Sequence, residues 1–262
     1  MAVQETRRIA FTVQYDGGPY YGWQLQRDHR TVQGELERAL GRIFDRPTRV
    51  LGSGRTDRGV HSLGQVAVVD APLRWSPTDL TRSLNAILPD EIWIARAAEV
   101  AADFHPRYGA IERAYLYRVG VAAESASPFH SRWCWPLLKA PDPDLMRKAS
   151  EPIVGDHSFT GFAKAGQEHR GDRCMVRQVS WRDWEGLGFE FHIAANRFLH
   201  HMVRYLVGTL VEIGLGRRPD GDIARLLDRE ARITTSPPAP PEGLFLASVR
   251  YRDGIYPADT HG

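Results

Sequence analysis

Residues 52–61, Gly52-Ser53-Gly54-Arg55-Thr56-Asp57-Arg58-Gly59-Val60-His61, hold the densest cluster of reactive side chains in this chain. One carboxylate stands between two arginines, with a hydroxyl directly before it. Neighbouring cations favour the ionised form of Asp57, which a nucleophile or general base requires. Three glycines allow positive φ and a close approach of backbone to a ligand. The same residue types also make an ordinary solvated turn, in which Asp57 caps the loop or pairs with Arg55 or Arg58. Residue types alone leave both readings open.

Other chemistries find less support. The chain has ten histidines, including the adjacent pair His200-His201. Neighbours on a helix point about 100° apart and do not readily chelate one ion, for which i, i+4 is the useful spacing. No HExxH occurs, and Cys134 and Cys174 stand alone, too few for a disulfide framework or a CxxC site. No metal is expected. Neither a GxGxxG after a strand nor a GxxxxGK[ST] loop is present, so no nucleotide cofactor is expected either.

The elements that must hold such a loop are legible from periodicity. Ile9, Phe11, Val13 and Tyr15 alternate with Ala10, Thr12 and Gln14, which predicts a strand buried on one face. A turn at Asp16-Gly17-Gly18-Pro19 follows. Val32, Leu36, Ala39, Leu40 and Ile43 recur at helical spacing behind Thr31, a suitable N-cap. Ser76-Pro77-Thr78-Asp79 opens a second helix. Strands are predicted over 65–70, 92–99 and 113–120, the last placing Tyr115, Tyr117 and Val119 on one face. Ala140-Pro141-Asp142-Pro143-Asp144 reads as a linker entering a helix, so the chain divides into halves, 1–121 and 122–262. In the second half, strands are predicted over 175–184 and 188–195. A long apolar helix from about 197 to 213 comes next, then a short one after Pro219-Asp220. The run Ser236–Pro241 forms a loop into a last strand over 244–252. Consecutive α+β halves favour antiparallel or mixed sheets over a doubly wound parallel one.

Composition narrows the class without choosing the activity. Hydrophobic residues make up 42% and charged residues 25%, as in a globular protein. No apolar run approaches the roughly 20 residues of a membrane span, and the start of the chain lacks a secretory pattern, so a cytoplasmic protein is expected. The net charge of +2 is too small to indicate nucleic-acid binding by itself. All but three of the 34 basic residues are arginines, whose planar fork suits phosphate contacts and base stacking. An arginine-rich codon bias would produce the same count.

GSGRTDRGVHSLGQV (52–66) resembles the signature of the tRNA pseudouridine synthase A (TruA) family, bacterial type. Further stretches are similar in the right order: YDGGPYYGWQ (15–24) with RTVQGELERAL (30–40), FHPRYGAIERAYLYRV (104–119), NRFLHHMVRYLVGTLVEIGLG (196–216) and APPEGLFLASVRY (239–251). The resemblance implies a fold of two similar ferredoxin/RRM-like α+β halves. These would form one mainly antiparallel mixed sheet flanked by helices, with the catalytic cleft between them. It implies an isomerase that converts uridine to pseudouridine at positions 38, 39 and 40 of the tRNA anticodon stem-loop. The implied assembly is a homodimer, its interface in the second half.

Residue by residue, the resemblance makes Asp57 the catalytic aspartate, acting as nucleophile or base. Arg55 would hold Asp57 and the RNA backbone, and Tyr115 would stack on the target uracil and help remove its C5 proton. Arg204 would pair with Asp57, and Leu246, with Leu244, would floor the pocket. Tyr117 remains a core residue. Arg58, Ser62 and Ala114 depart from the family pattern and could alter RNA contacts. Two rivals are a non-catalytic RNA-binding protein, in which Asp57 only shapes its loop, and a metal-dependent hydrolase built on the histidines. Loss of product in an Asp57 variant excludes the first, and activity surviving chelation excludes the second.

Overall fold

The alternation from Ile9 to Tyr15 builds strand β1 (Thr6–Tyr15), and Ile9, Phe11, Val13 and Tyr15 are fully buried or nearly so. They pack beneath helix α1 (Val32–Phe44), whose stripe of Val32, Leu36, Ala39 and Leu40 is buried in the same core. Thr31 caps α1 by accepting from the Gly34 N–H at 3.2 Å. Strand β2 (Leu51–Gly52) and the long strand β3 (His61–Pro72) flank the glycine-rich loop. Helix α2 (Pro77–Asn85), capped by Ser76, and strand β4 (Ile92–Val100) complete the order β, α, β, β, α, β. The computed structural model describes residues 5–163, 171–228 and 233–256.

Two compact units emerge, Met1–Ile111 with Leu246–Gly262, and Glu112–Phe245. In the first, β1 lies between β3 and β4, antiparallel to both, with Ile9 opposite Val69 on one side and Glu99 on the other. The closing strand, labelled β10 (Leu244–Tyr251), borders β3 on its far side. The β1–β3 ladder is regular until Val13 opposes Gln65. Tyr15 then opposes Ser62, so one extra residue of β3 bulges beside the loop.

The second unit opens with β5 (Ala110–Gly120), to which the two-residue strand β6 (Trp135–Pro136) adds in parallel. Helix α3 (Pro143–Ser150) starts at an Asp142 cap that accepts from the Asp144 and Leu145 N–H groups. Strands β7 (Gly155–Ser158), β8 (Arg173–Trp184) and β9 (Gly188–Ala195) follow, and the antiparallel order is β5-β9-β8-β7. Helix α4 (Met202–Gly214) is buried along most of its length, and α5 (Asp222–Leu227) lies beyond it. The fold class is therefore mixed α+β, with mainly antiparallel sheets flanked by helices.

The start of the long helix differs from expectation. The long helix begins at Met202 rather than near 197. His201 adopts a left-handed conformation at the cap (φ 63°), which no helix residue tolerates, while the apolar rhythm of Phe198 and Leu199 continues past the true start. His200 and His201 therefore precede the helix, their ring centroids 4.1 Å apart, instead of lying on its surface.

Candidate active site

The loop carrying Asp57 is pinned at its entrance, middle and exit. At the entrance, the Ser53 N–H donates to Val66 O at 2.8 Å and its hydroxyl to Gln65 Oε1 at 2.6 Å. The fully buried Gln65 amide returns a bond to Gly54 O at 2.9 Å. In the middle, Thr56 is buried, its carbonyl accepting from the Trp23 N–H at 3.1 Å and its hydroxyl sharing a proton with the Tyr15 phenol at 2.8 Å. At the exit, the Val60 N–H closes a turn onto Asp57 O at 3.2 Å, and Gly59 supplies the left-handed φ of 79°. With Thr56 held inward, Arg55 and Arg58 are exposed and Asp57 is half-buried.

The glycines serve a purpose the sequence left unread. A Cβ on Gly22, itself at φ 87°, would stand 2.5 Å from Thr56 O, and one on Gly17 would stand 2.0 Å from Val60 O. Gly52 lies flat against the Trp23 indole, where a Cβ would meet the ring at 2.6 Å. The segment Tyr15–Trp23 and the Asp57 loop thus interlock backbone to backbone. Gly54, by contrast, faces open space and fits the expectation of a close ligand approach.

Two departures from the family pattern find their physical roles here. The buried Ser62 hydroxyl accepts from Gly64 N at 3.1 Å and Gln65 N at 2.8 Å, the amides freed by the bulge, and donates to Leu246 O at 3.2 Å. The Arg58 guanidinium lies 4.3 Å from the Tyr21 ring centroid, and His29 stacks on Tyr21 at 4.0 Å with 4° between the planes. Two such neighbours occupy opposite faces of one ring, so Arg58 anchors the 18–30 segment. Ala114 sits opposite Ala194 in the β5–β9 ladder, and nothing around it marks an RNA contact.

Arg55 faces a cavity of about 250 Å³ in the first unit, shared with Arg49, Arg107 and Tyr108. Leu246 is buried on β10 in the same unit. Tyr115 and Arg204 belong to the second unit. The Tyr115 ring is half-buried and meets Phe198 edge-on at 4.9 Å. Tyr117 is fully buried, its hydroxyl donating to Pro240 O at 2.7 Å, and burial pushes its pKa well above the ordinary value. It is a core residue, as expected.

Arg204 carries a contact that the sequence reading missed. Its Nε donates to Ala239 O at 2.6 Å, while the Ala239 N–H donates to Arg204 O at 2.9 Å. Ala239 is the one residue of Pro237–Pro241 that owns a backbone N–H, so this pair of bonds latches the proline-rich run to α4. A lone alanine in a polyproline run was the available signal.

Comparison with known proteins gives a consistent result. The profile of a family described as tRNA pseudouridine synthase matches residues 11–109 and 149–252. The tRNA pseudouridine synthase A of Cereibacter sphaeroides is 39% identical over 249 residues, 93% of this chain and 97% of that protein. The proteins of the same name from Myxococcus xanthus and Chlorobium luteolum are 37% and 40% identical, covering 97% and 94% of this chain and 96% of each of theirs.

Proposed function

The chain belongs to the tRNA pseudouridine synthase family and is an isomerase of uridine in tRNA, and from that premise we propose that Asp57 performs the chemistry at uridines 38, 39 and 40 of the anticodon stem-loop. The reaction conserves every atom. The C1′–N1 bond breaks, uracil turns, a C1′–C5 bond forms, the proton on C5 leaves, and N1 takes one up. No redox partner or energy source is needed. The site must supply a well-placed carboxylate, cations to keep it ionised, and an apolar slot for the loose base.

The observation that carries this reading is the pinning of Thr56. A buried threonine fixed through both its carbonyl and its hydroxyl holds the backbone that presents the half-buried Asp57 between two arginines in sequence. A loop of solvated-turn residues would need no such anchoring. In this reading Asp57 is the nucleophile or base, and Arg55 engages it and the RNA backbone. Tyr115 stacks on uracil, Arg204 adds a cation, and Leu246 contributes to the apolar floor. The target base is normally stacked, so it flips out at a cost of a few kcal/mol, which arginine–phosphate contacts offset. The enzyme acts as a homodimer in the cytoplasm and recognises shape and backbone, which suits three adjacent targets.

The test of the substrate is pseudouridine mapping in tRNA from cells lacking this protein. Loss confined to positions 38–40 is expected. An unchanged anticodon arm, or loss elsewhere in the tRNA, would overturn the assignment.

A further inference from the structure

The cavity beside Arg55 has a makeup that isomerisation of one uridine does not require. Its wall carries Arg49, Arg55 and Arg107, together with His105 and the Tyr108 ring, and no carboxylate lines it among the described residues. In a chain of net charge +2 this is a local excess of cation, and it selects an anion. The turn Phe104–Gly109 is built to present these groups. His105 Nδ1 accepts from the Arg107 and Tyr108 N–H groups at 3.1 and 3.3 Å, so the neutral ring carries its proton on Nε2, a further donor. The Tyr251 phenol donates to Pro106 O at 2.6 Å and fixes the turn from behind. Tyr108 is left 77% exposed, tilted against His105 with centroids 4.3 Å apart. An exposed ring of that kind beside clustered arginines is a stacking platform for a base whose phosphate the arginines hold.

Size and position refine the ligand. At about 250 Å³ the cavity falls below the roughly 300–1,000 Å³ of pockets for drug-sized ligands, so it admits part of one nucleotide and excludes a duplex. Arg55 is two residues from Asp57, so their Cα atoms are at most about 7 Å apart. A ligand here and a base at Asp57 belong to one short stretch of RNA.

We propose that the cavity of Arg49, Arg55, His105, Arg107 and Tyr108 is a second nucleotide subsite, which grips the phosphate of an unpaired RNA residue neighbouring the target uridine and stacks its base on Tyr108. The proposal rests on the reading of Asp57 as the catalytic group. Gly54, open on the cavity side, gives the sugar–phosphate chain room to pass between the two positions.

The test pairs protein variants with RNA whose charge is removed one linkage at a time. Anticodon stem-loops carrying single uncharged methylphosphonate linkages around the target uridine are titrated with the full chain. Wild-type protein is expected to lose about tenfold in affinity at one linkage, as befits a charge-assisted bond. Arg49→Ala/Arg107→Ala should bind unmodified RNA that much more weakly and lose nothing further at that linkage. Equal losses in both proteins at every linkage would overturn the proposal. Should the double variant melt early, Arg49→Ala at its exposed position repeats the cycle. Tyr108→Phe is expected to bind like wild type and Tyr108→Ala more weakly, and equal weakening by both would remove the stacking role. Product formation by Asp57→Asn would unseat the catalytic reading and leave this affinity cycle untouched, so the two failures are separable.

Discussion

Asp57 owes its setting to neighbours that do no chemistry. Thr56, Gln65 and Ser62 are buried polar residues whose hydrogen bonds hold the loop and its outgoing strand. Ser62→Ala would strand the two amides that its hydroxyl satisfies and leave Leu246 O without that donor. We expect a loss of about 1–3 kcal/mol in denaturant unfolding, and an unchanged midpoint would contradict the bulge-capping role. Arg204 has a comparable structural share. Its Nε bond to Ala239 O is charge-assisted, so Arg204→Ala should lower stability by about 1.5–3 kcal/mol, measured by urea unfolding, besides any effect on turnover. The Asp57 loop stood out in the sequence because its glycines, arginines and carboxylate are contiguous. The Arg204 latch was not, because its partner lies 35 residues away and a hydrogen bond between distant segments leaves no periodicity.

Among the elements, the interlocked glycine segments matter most. Gly22→Ala forces a side chain onto a left-handed backbone and toward Thr56 O at 2.5 Å, so the Asp57 loop must shift. Misplacement of a reacting group by about 1 Å can cost about a hundredfold in rate. The expected outcome is therefore a kcat lower by about that factor with far-UV circular dichroism preserved. Wild-type turnover in this variant would mean that the interlock does not position Asp57. Helices announced by caps, α1 at Thr31, α2 at Ser76 and α3 at Asp142, start where side-chain chemistry indicates. The start of α4 was misread because its determinant is the φ of His201, which residue type does not reveal. Strands β2 and β6, at two residues each, and β7, at four, are too short to show alternation.

Across the whole molecule, weak net charge coexists with three arginines gathered on one cavity, so under the proposed subsite affinity for RNA would depend on that local array rather than on the sum. The alignment spans 97% of the Cereibacter sphaeroides protein, which extends the shared family to nearly the full length of the chain. Cys134 and Cys174 are buried, and burial pushes each thiol up to about 11, so both stay protonated at neutral pH. Iodoacetamide at pH 8 should leave both unlabelled in the native protein and label both in denaturant, as read by mass spectrometry. Rapid native labelling would mean the two cores open far more readily than their packing implies.

The role of Asp57 is tested by comparing wild type and Asp57→Asn on an unmodified tRNA transcript, with affinity and pseudouridine formation followed side by side. Replacing one carboxylate oxygen by an amide keeps the shape of the side chain and removes its charge. Affinity within about threefold of wild type, with no product at positions 38–40, is the predicted result. Product formed at an undiminished rate by Asp57→Asn would contradict it.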